Sequence, residues 1–192
     1  MMQDPFDFLS IQALLYQVKP DLIIETGTAS GGSALAWASL LELFEYNTTR
    51  IITIDMNAPE SGFGSEHAVK NPVDHPLWAK YVTFIQGYST VPEVIEQVTA
   101  SVVTASTVLV LLDSDHSYNT VTQELPLYCN MVTVGSYCIV EDTKMSRWTP
   151  RGGPLEAVED FLKTEQGQNF ASDRSRELLY SQHVKGYLKR IK

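Results

Sequence analysis

Residues 21–33, DLIIETGTASGGS, are a short apolar run that breaks into a tight glycine turn. Trp37, Leu40, Leu41 and Phe44 follow at i, i+3, i+4, i+7, the spacing of one buried helix face. The stretch therefore predicts strand, turn and helix. Residues 50–55, RIITID, supply a second strand and complete a βαβ unit. Further on, residues 81–86 read as a strand, 91–102 as a helix and 107–112 as another strand. That last run, TVLVLL, has no polar break, as suits a central parallel strand buried on both faces. A helix over 120–131, kinked at Pro126, leads to a fifth strand at 136–140. Residues 154–164 are amphipathic, and 177–191 read as two strands around Val184-Lys185-Gly186. Before the opening stretch, Asp4-Pro5 starts a helix that Pro20 stops. The alternation predicts an α/β, doubly wound, mostly parallel, Rossmann-like sheet with an antiparallel C-terminal edge hairpin.

The chain has 192 residues, a length that fits one domain over 1–192. Lys and Arg number 14 against 23 Asp and Glu, a formal charge of -9. That balance argues against nucleic acid or an anionic membrane as partner, since both attract basic surfaces. Residues 1–10 lack the basic start and apolar core of a secretory signal. The apolar run at 108–112 is far short of the ~20 residues that span a bilayer. A cytoplasmic protein is expected, with Cys129 and Cys138 as reduced core thiols.

In such sheets ligands sit beyond the carboxyl ends of the strands. Those ends carry Glu25, Asp55, Gly87 to Ser89, Asp113 to Tyr118, and Glu141-Asp142, most of them acidic. A glycine turn at a helix N-terminus offers backbone N–H groups to an anion. The spacing here does not match Gly-x-Gly-x-x-Gly, and Glu25 would repel a pyrophosphate but welcome an ammonium. Asp55 stands where a carboxylate accepts both ribose hydroxyls, and Gly87 and Ser89 stand where an adenine passes. An amino acid, a ribose and an adenine together describe S-adenosylmethionine. The alternative is an ordinary turn with glycines chosen for positive φ.

Asp115, Glu141 and Asp142 follow neighbouring strands, whose ends are ~5 Å apart. Carboxylates that converge repel one another unless a cation sits among them, and oxygen ligands suit Mg²⁺. The alternative is that Glu141 and Asp142 are solvated loop acids while Asp115 caps the next helix. A bound cation beside the reactive methyl would lower the pKa of a substrate hydroxyl. Two groups compete as proton acceptor, His116 by its intrinsic pKa and Lys144 if desolvated.

At these residues the sequence resembles the cephalosporin hydroxylase family, which contains S-adenosylmethionine-dependent, Mg²⁺-containing O-methyltransferases related to rhamnosyl O-methyltransferases. The carrying segments are 19–41, ITIDM at 52–56, VLVLLDSDHSY at 108–118, GSYCIVEDT at 135–143, GPLEAVEDFL at 153–162 and GYLKR at 186–190. The resemblance implies a class I methyltransferase fold, metal ligation by Asp115, Glu141 and Asp142, and cofactor contacts at Glu25, Gly27, Gly31, Ser33, Asp55, Ser89 and Asp113. Where the similar catechol O-methyltransferase has a lysine base, this chain has Tyr118. Oligomers are known in the family, so a homo-oligomer stays open here.

The expected function is methyl transfer to a hydroxyl of a small molecule, a sugar or a secondary metabolite. The rivals are a catalytically silent cofactor-binding module and an NAD-dependent oxidoreductase, the latter disfavoured by Glu25 and the failed fingerprint. Residues 57–76 hold three prolines, two glycines and two histidines without a clear period, and read as a long loop. Loops of about 20 residues are uncommon in compact domains. This one, with His67, His75 and nearby Trp78, is a candidate lid or substrate wall; the alternative is a flexible surface loop.

Overall fold

The computed structural model describes residues 3–67, 70–149 and 152–192. Helix α1 (Pro5–Val18) starts as expected: Asp4 accepts from the Phe6 N–H, Pro5 occupies the first turn, and Lys19 ends it in a left-handed conformation just before Pro20. Strand β1 (Leu22–Thr26) feeds the glycine turn and α2 (Gly32–Leu43). Then come β2 (Arg50–Asp55), a short α3 (Pro76–Tyr81) and β3 (Val82–Gln86). They are followed by α4 (Pro92–Val102), β4 (Val108–Leu112), α5 (Tyr118–Tyr128) and β5 (Tyr137–Val140). The chain closes with α6 (Pro154–Phe161), β6 (Phe170–Ser172) and β7 (Tyr187–Arg190).

Among the described residues the strands form one sheet in the order β3-β2-β1-β4-β5-β7-β6. The first five are parallel, and β7 runs antiparallel between β5 and β6. Apart from the edge strand β3, the parallel strands are buried on both faces, so alternate residues feed two cores. Leu22 and Ile24 pack on one side with α4, α5 and α6, while Ile23 packs on the other with α1, α2 and α3. The strand order reverses between β1 and β4, and a doubly wound sheet opens its ligand crevice at such a point.

Three expectations change. The antiparallel edge exists, but the partner of β7 is 170–172, not a strand within 177–184. The stretch between carries Asp173 and Glu177, which bind backbone N–H groups of Ser175 and Lys185 and hold it as turns. Second, the long loop holds 3-10 turns at Ser65–His67 and Pro72–Asp74 and gives way to α3, whose first turn contains Pro76. Residues 68 and 69 of that loop lie outside the described residues. Third, Cys129 and Cys138 form a disulfide with a Cα–Cα distance of 5.5 Å, and both are fully buried. The sheet brings the end of α5 against β5, a proximity that nine residues of separation did not reveal.

Candidate functional site

The hydrogen-bond ladder continues one step past the strands. Asp113 N–H donates to the Thr26 carbonyl (3.0 Å), and Glu141 N–H donates to the Leu112 carbonyl (2.9 Å). The chain ends after β1, β4 and β5 therefore start their loops side by side.

At Gly27 and Gly31 the turn leaves no room for a side chain. Gly27 has φ +88°, and a Cβ there would lie 1.8 Å from the Asp113 carbonyl oxygen. Gly31, at φ +78°, caps α2, and its Cβ would meet the Trp78 ring at 2.8 Å. Gly62 approaches the Ala29 carbonyl just as closely, its Cβ reaching 2.0 Å. The segment after β2 thus lies against the turn and walls it. In that wall Trp78 is core, His75 caps α3 by accepting from Leu77 N–H (3.2 Å), and His67 is exposed.

Asp55 stands at the end of β2, where one oxygen accepts from Ala29 N–H (2.9 Å) and the other from Asn57 N–H (2.9 Å). It ties the turn to the next loop, and each oxygen keeps lone-pair capacity for a further donor. Glu25 lies beneath the turn rather than at its mouth, only 1% exposed. It accepts from Trp37 Nε1 (3.1 Å) and Thr53 Oγ1 (2.7 Å). Burial pushes its pKa above the usual carboxylate range, opposed by hydrogen bonds from Thr53, Ser33 and Trp37. Ser33 is buried in the first turn of α2. Ser89 follows β3, and its carbonyl accepts from Tyr128 Oη (2.6 Å).

Across β1 from Asp55 is a second cluster. His116 Nε2 lies 3.7 Å from Asp113 Oδ1 and 3.8 Å from Asp142 Oδ2. One donor atom from each of these three residues falls within 4.8 Å of the others. His116 and Asp142 both have left-handed backbones, at φ 55° and 51°. Such conformations cost about 1–3 kcal/mol each and collect at functional sites. Burial, then the nearby Glu141 charge, pushes Asp113 well above the usual carboxylate range. Burial also pushes Glu141 well up. Burial pushes His116 below the usual imidazole range against the pull of Asp142 and Asp115.

Of the three carboxylates expected as a set, Asp142 alone stands in this cluster. Glu141 points the other way; it is 2% exposed, accepts from Gln3 Nε2 and faces His183 Nε2 at 3.5 Å. Asp115 is exposed and accepts from Ser117 N–H (2.9 Å) and Thr120 Oγ1 (2.9 Å), so it caps the start of α5. Lys144 Nζ donates to the Tyr180 carbonyl (3.2 Å), away from the cluster. Tyr118 donates to Asp160 Oδ2 (2.9 Å), linking α5 to α6.

Sequence reasoning passed over three buried groups beside the site. Asp7 on α1 is fully buried and accepts from Ser181 Oγ (2.5 Å), Gln182 N–H (2.6 Å) and Tyr187 Oη (2.9 Å). Glu124 on α5 accepts from Ser114 Oγ (2.9 Å), and its other oxygen has no partner among the described residues. His183 is 1% exposed between Asp7 and Glu141. Two of these carried a signal. Asp7 shares a helical stripe with Ile11 and Leu14, and Glu124 shares one with Val121 and Tyr128, positions where an acid is otherwise out of place.

The family model described as Rhamnosyl O-methyltransferase/CmcI matches residues 1–191. A rhamnosyl O-methyltransferase of Mycobacterium leprae is 28% identical over 176 residues, 89% of this chain and 71% of that protein. One of Mycobacterium tuberculosis is equally similar, with this chain spanning 66% of its length. Among solved structures, CmcI bound to Mg and SAM aligns with a TM-score of 0.69 at 20% identity, covering 100% of this chain and 74% of that one. A TDP-rhamnose 3'-O-methyltransferase of calicheamicin biosynthesis aligns at 0.62 and 22% identity, covering 83% and 71%. These likenesses confirm the class I methyltransferase sheet.

Proposed function

The chain belongs to the Rhamnosyl O-methyltransferase/CmcI family, and from that premise we propose that it moves a methyl group from S-adenosylmethionine to a sugar hydroxyl. We read the whole of 1–192 as one methyltransferase domain, since its sheet runs unbroken from β1 near the start to β7 near the end. The carrying observation is the pairing of two sites on adjacent strand ends. One is a turn whose Gly27 and Gly31 leave no room for a side chain; the other is the Asp113–His116–Asp142 cluster.

The residues present fit both groups. The N-terminal end of α2, where the turn delivers the chain, suits a carboxylate. Asp55 has acceptor capacity for ribose hydroxyls. Gly87 and Ser89 border the adenine end. Asp113 and Asp142 offer the hard oxygen donors that Mg²⁺ prefers while leaving positions open. A cation there would offset the burial and the carboxylate repulsion that together raise Asp113.

S-adenosylmethionine, when bound, would supply the activated methyl group, and Mg²⁺ held by Asp113 and Asp142 would supply positive charge to the site. The chain's own residues then orient the acceptor for in-line displacement, where positioning dominates. His116 is the best-placed proton acceptor, because its lowered pKa leaves it neutral at pH 7. Asp142, 3.8 Å from it, favours the imidazolium that results. The walling segment between β2 and α3 keeps solvent from the turn.

Methyl-labelled S-adenosylmethionine, Mg²⁺ and a panel of rhamnosylated acceptors test the reading. Labelled product is expected with at least one sugar hydroxyl. Failure of the protein to bind S-adenosylmethionine in calorimetry overturns it. Binding without transfer to any acceptor would favour the silent-module alternative.

A further inference from the structure

His183 is a buried side chain beside the cluster whose role the proposed chemistry leaves open. Its Nδ1 accepts a hydrogen bond from the backbone N–H of Asp142 (2.9 Å). A backbone N–H only donates, so Nδ1 carries no proton and the proton of the neutral ring sits on Nε2. That N–H points between two carboxylates, Glu141 Oε2 at 3.5 Å and Asp7 Oδ2 at 3.9 Å, and has no hydrogen-bond partner among the described residues. Asp7 is held in turn by Ser181, Gln182 and Tyr187. One ring thus reaches the left-handed Asp142 backbone on one edge and the Glu141 carboxylate on the other. It is supplied by the loop just before β7, so the antiparallel edge of the sheet delivers it.

We infer that His183 is a positioning residue for the cation site, fixing Asp142 through the hydrogen bond that its backbone N–H donates to Nδ1. The inference rests on the metal reading proposed above. Left-handed backbone at an aspartate is costly and persists only where neighbours hold it. The Asp142 N–H bond to Nδ1 is such a hold. Groups that orient metal ligands from behind change metal affinity by roughly 10- to 100-fold when removed.

The test uses Mn²⁺ alone, with free Mn²⁺ read by electron paramagnetic resonance, on the full chain and three variants. In His183→Asn the side-chain carbonyl replaces Nδ1 as the acceptor for Asp142 N–H. His183→Gln places its amide near Nε2 and leaves Asp142 N–H unmet. His183→Phe fills the volume with neither contact. Mn²⁺ affinity is expected to fall roughly 10- to 100-fold in the Phe variant, to fall in the Gln variant, and to stay near the parent in the Asn variant. Binding of S-adenosylmethionine without metal serves as the check on folding. Should the Phe variant lose that as well, the Asn–Gln pair decides, since both are amides of similar size. Parent-like Mn²⁺ affinity in the Phe variant, or an Asn variant as impaired as Gln, overturns the positioning role alone. Absence of Mn²⁺ binding by the parent overturns the metal reading and this inference with it.

Discussion

Gly27 sits where backbone meets backbone: its missing Cβ is the space taken by the Asp113 carbonyl, and its φ of +88° excludes most side chains. Gly27→Ala combines left-handed strain with overpacking against a rigid carbonyl, so a loss of more than about 2 kcal/mol is expected. Urea unfolding followed by circular dichroism measures it, and a variant as stable as the parent would show that the turn opens easily. Asp113, whose carbonyl fills that space, is held above the usual carboxylate range by burial and by Glu141. Its apo form therefore retains a proton at pH values where an ordinary aspartate has lost one. A cation must displace that proton, so Mg²⁺ affinity is expected to rise with pH through this window and level off once Asp113 is ionised. Calorimetry in buffers of different ionisation enthalpy reads the released proton, and Asp113→Asn removes the release.

At the scale of elements, the segment that joins α5 to β5 is closed by Cys129–Cys138. This pairing replaces the expected reduced thiols, because α5 packs its last turn beside the strand that follows. A cross-link over so short a segment stabilises by about 2–3 kcal/mol in the loop-entropy account. Reduction should lower the urea midpoint accordingly, and thiol titration in denaturant without reductant should find no free thiol. Two titrated thiols would rule the pair out. The edge hairpin teaches the same lesson. The 177–184 segment is apolar enough to resemble a strand, with Leu178, Leu179 and Tyr180, yet Glu177 spends its carboxylate on Lys185 N–H and bends the chain. Residues 170–172 are too short for periodicity to announce them, and they pair with β7 because the sheet has an open edge there. The inner parallel strands were legible for the opposite reason: being buried on both faces, their composition alone marks them.

For the whole molecule, one end of the sheet collects a set of carboxylates whose folded pKa values are raised: Glu25, Asp113 and Glu141. A raised carboxyl means the native state binds more protons than the unfolded chain. Its contribution to stability is therefore present at low pH and is lost as pH rises through the folded pKa. A divalent cation binds the ionised form in the native state alone, so the gain in melting temperature from millimolar Mg²⁺ should grow with pH across that window. Asp142→Ala should abolish the gain, and differential scanning calorimetry with and without Mg²⁺ measures both. An unchanged melting temperature in Mg²⁺ would argue against a cation in the cluster. Among the described residues no helix is long and apolar enough to cross a membrane.

Residues 21–33 and the apolar strands by themselves determined the α/β sheet, the turn after β1 and the acids at the strand ends. They did so because strand, turn and helix patterns are local, and because a parallel sheet places every strand's carboxyl end on one side. The same local logic located Asp55 and the neighbourhood of Asp113, His116 and Asp142. Which side chains face one another there was decided by tertiary structure. Asp115 is two residues from Asp113, yet Ser117 and Thr120 offer it donors within its own turn, and it caps α5. Glu141 is adjacent to Asp142, yet successive side chains at a strand end point to opposite faces, and it is buried against Gln3 and His183. His183 and Asp7, 176 positions apart in the chain, meet behind the site only because β7 inserts beside β5 under α1.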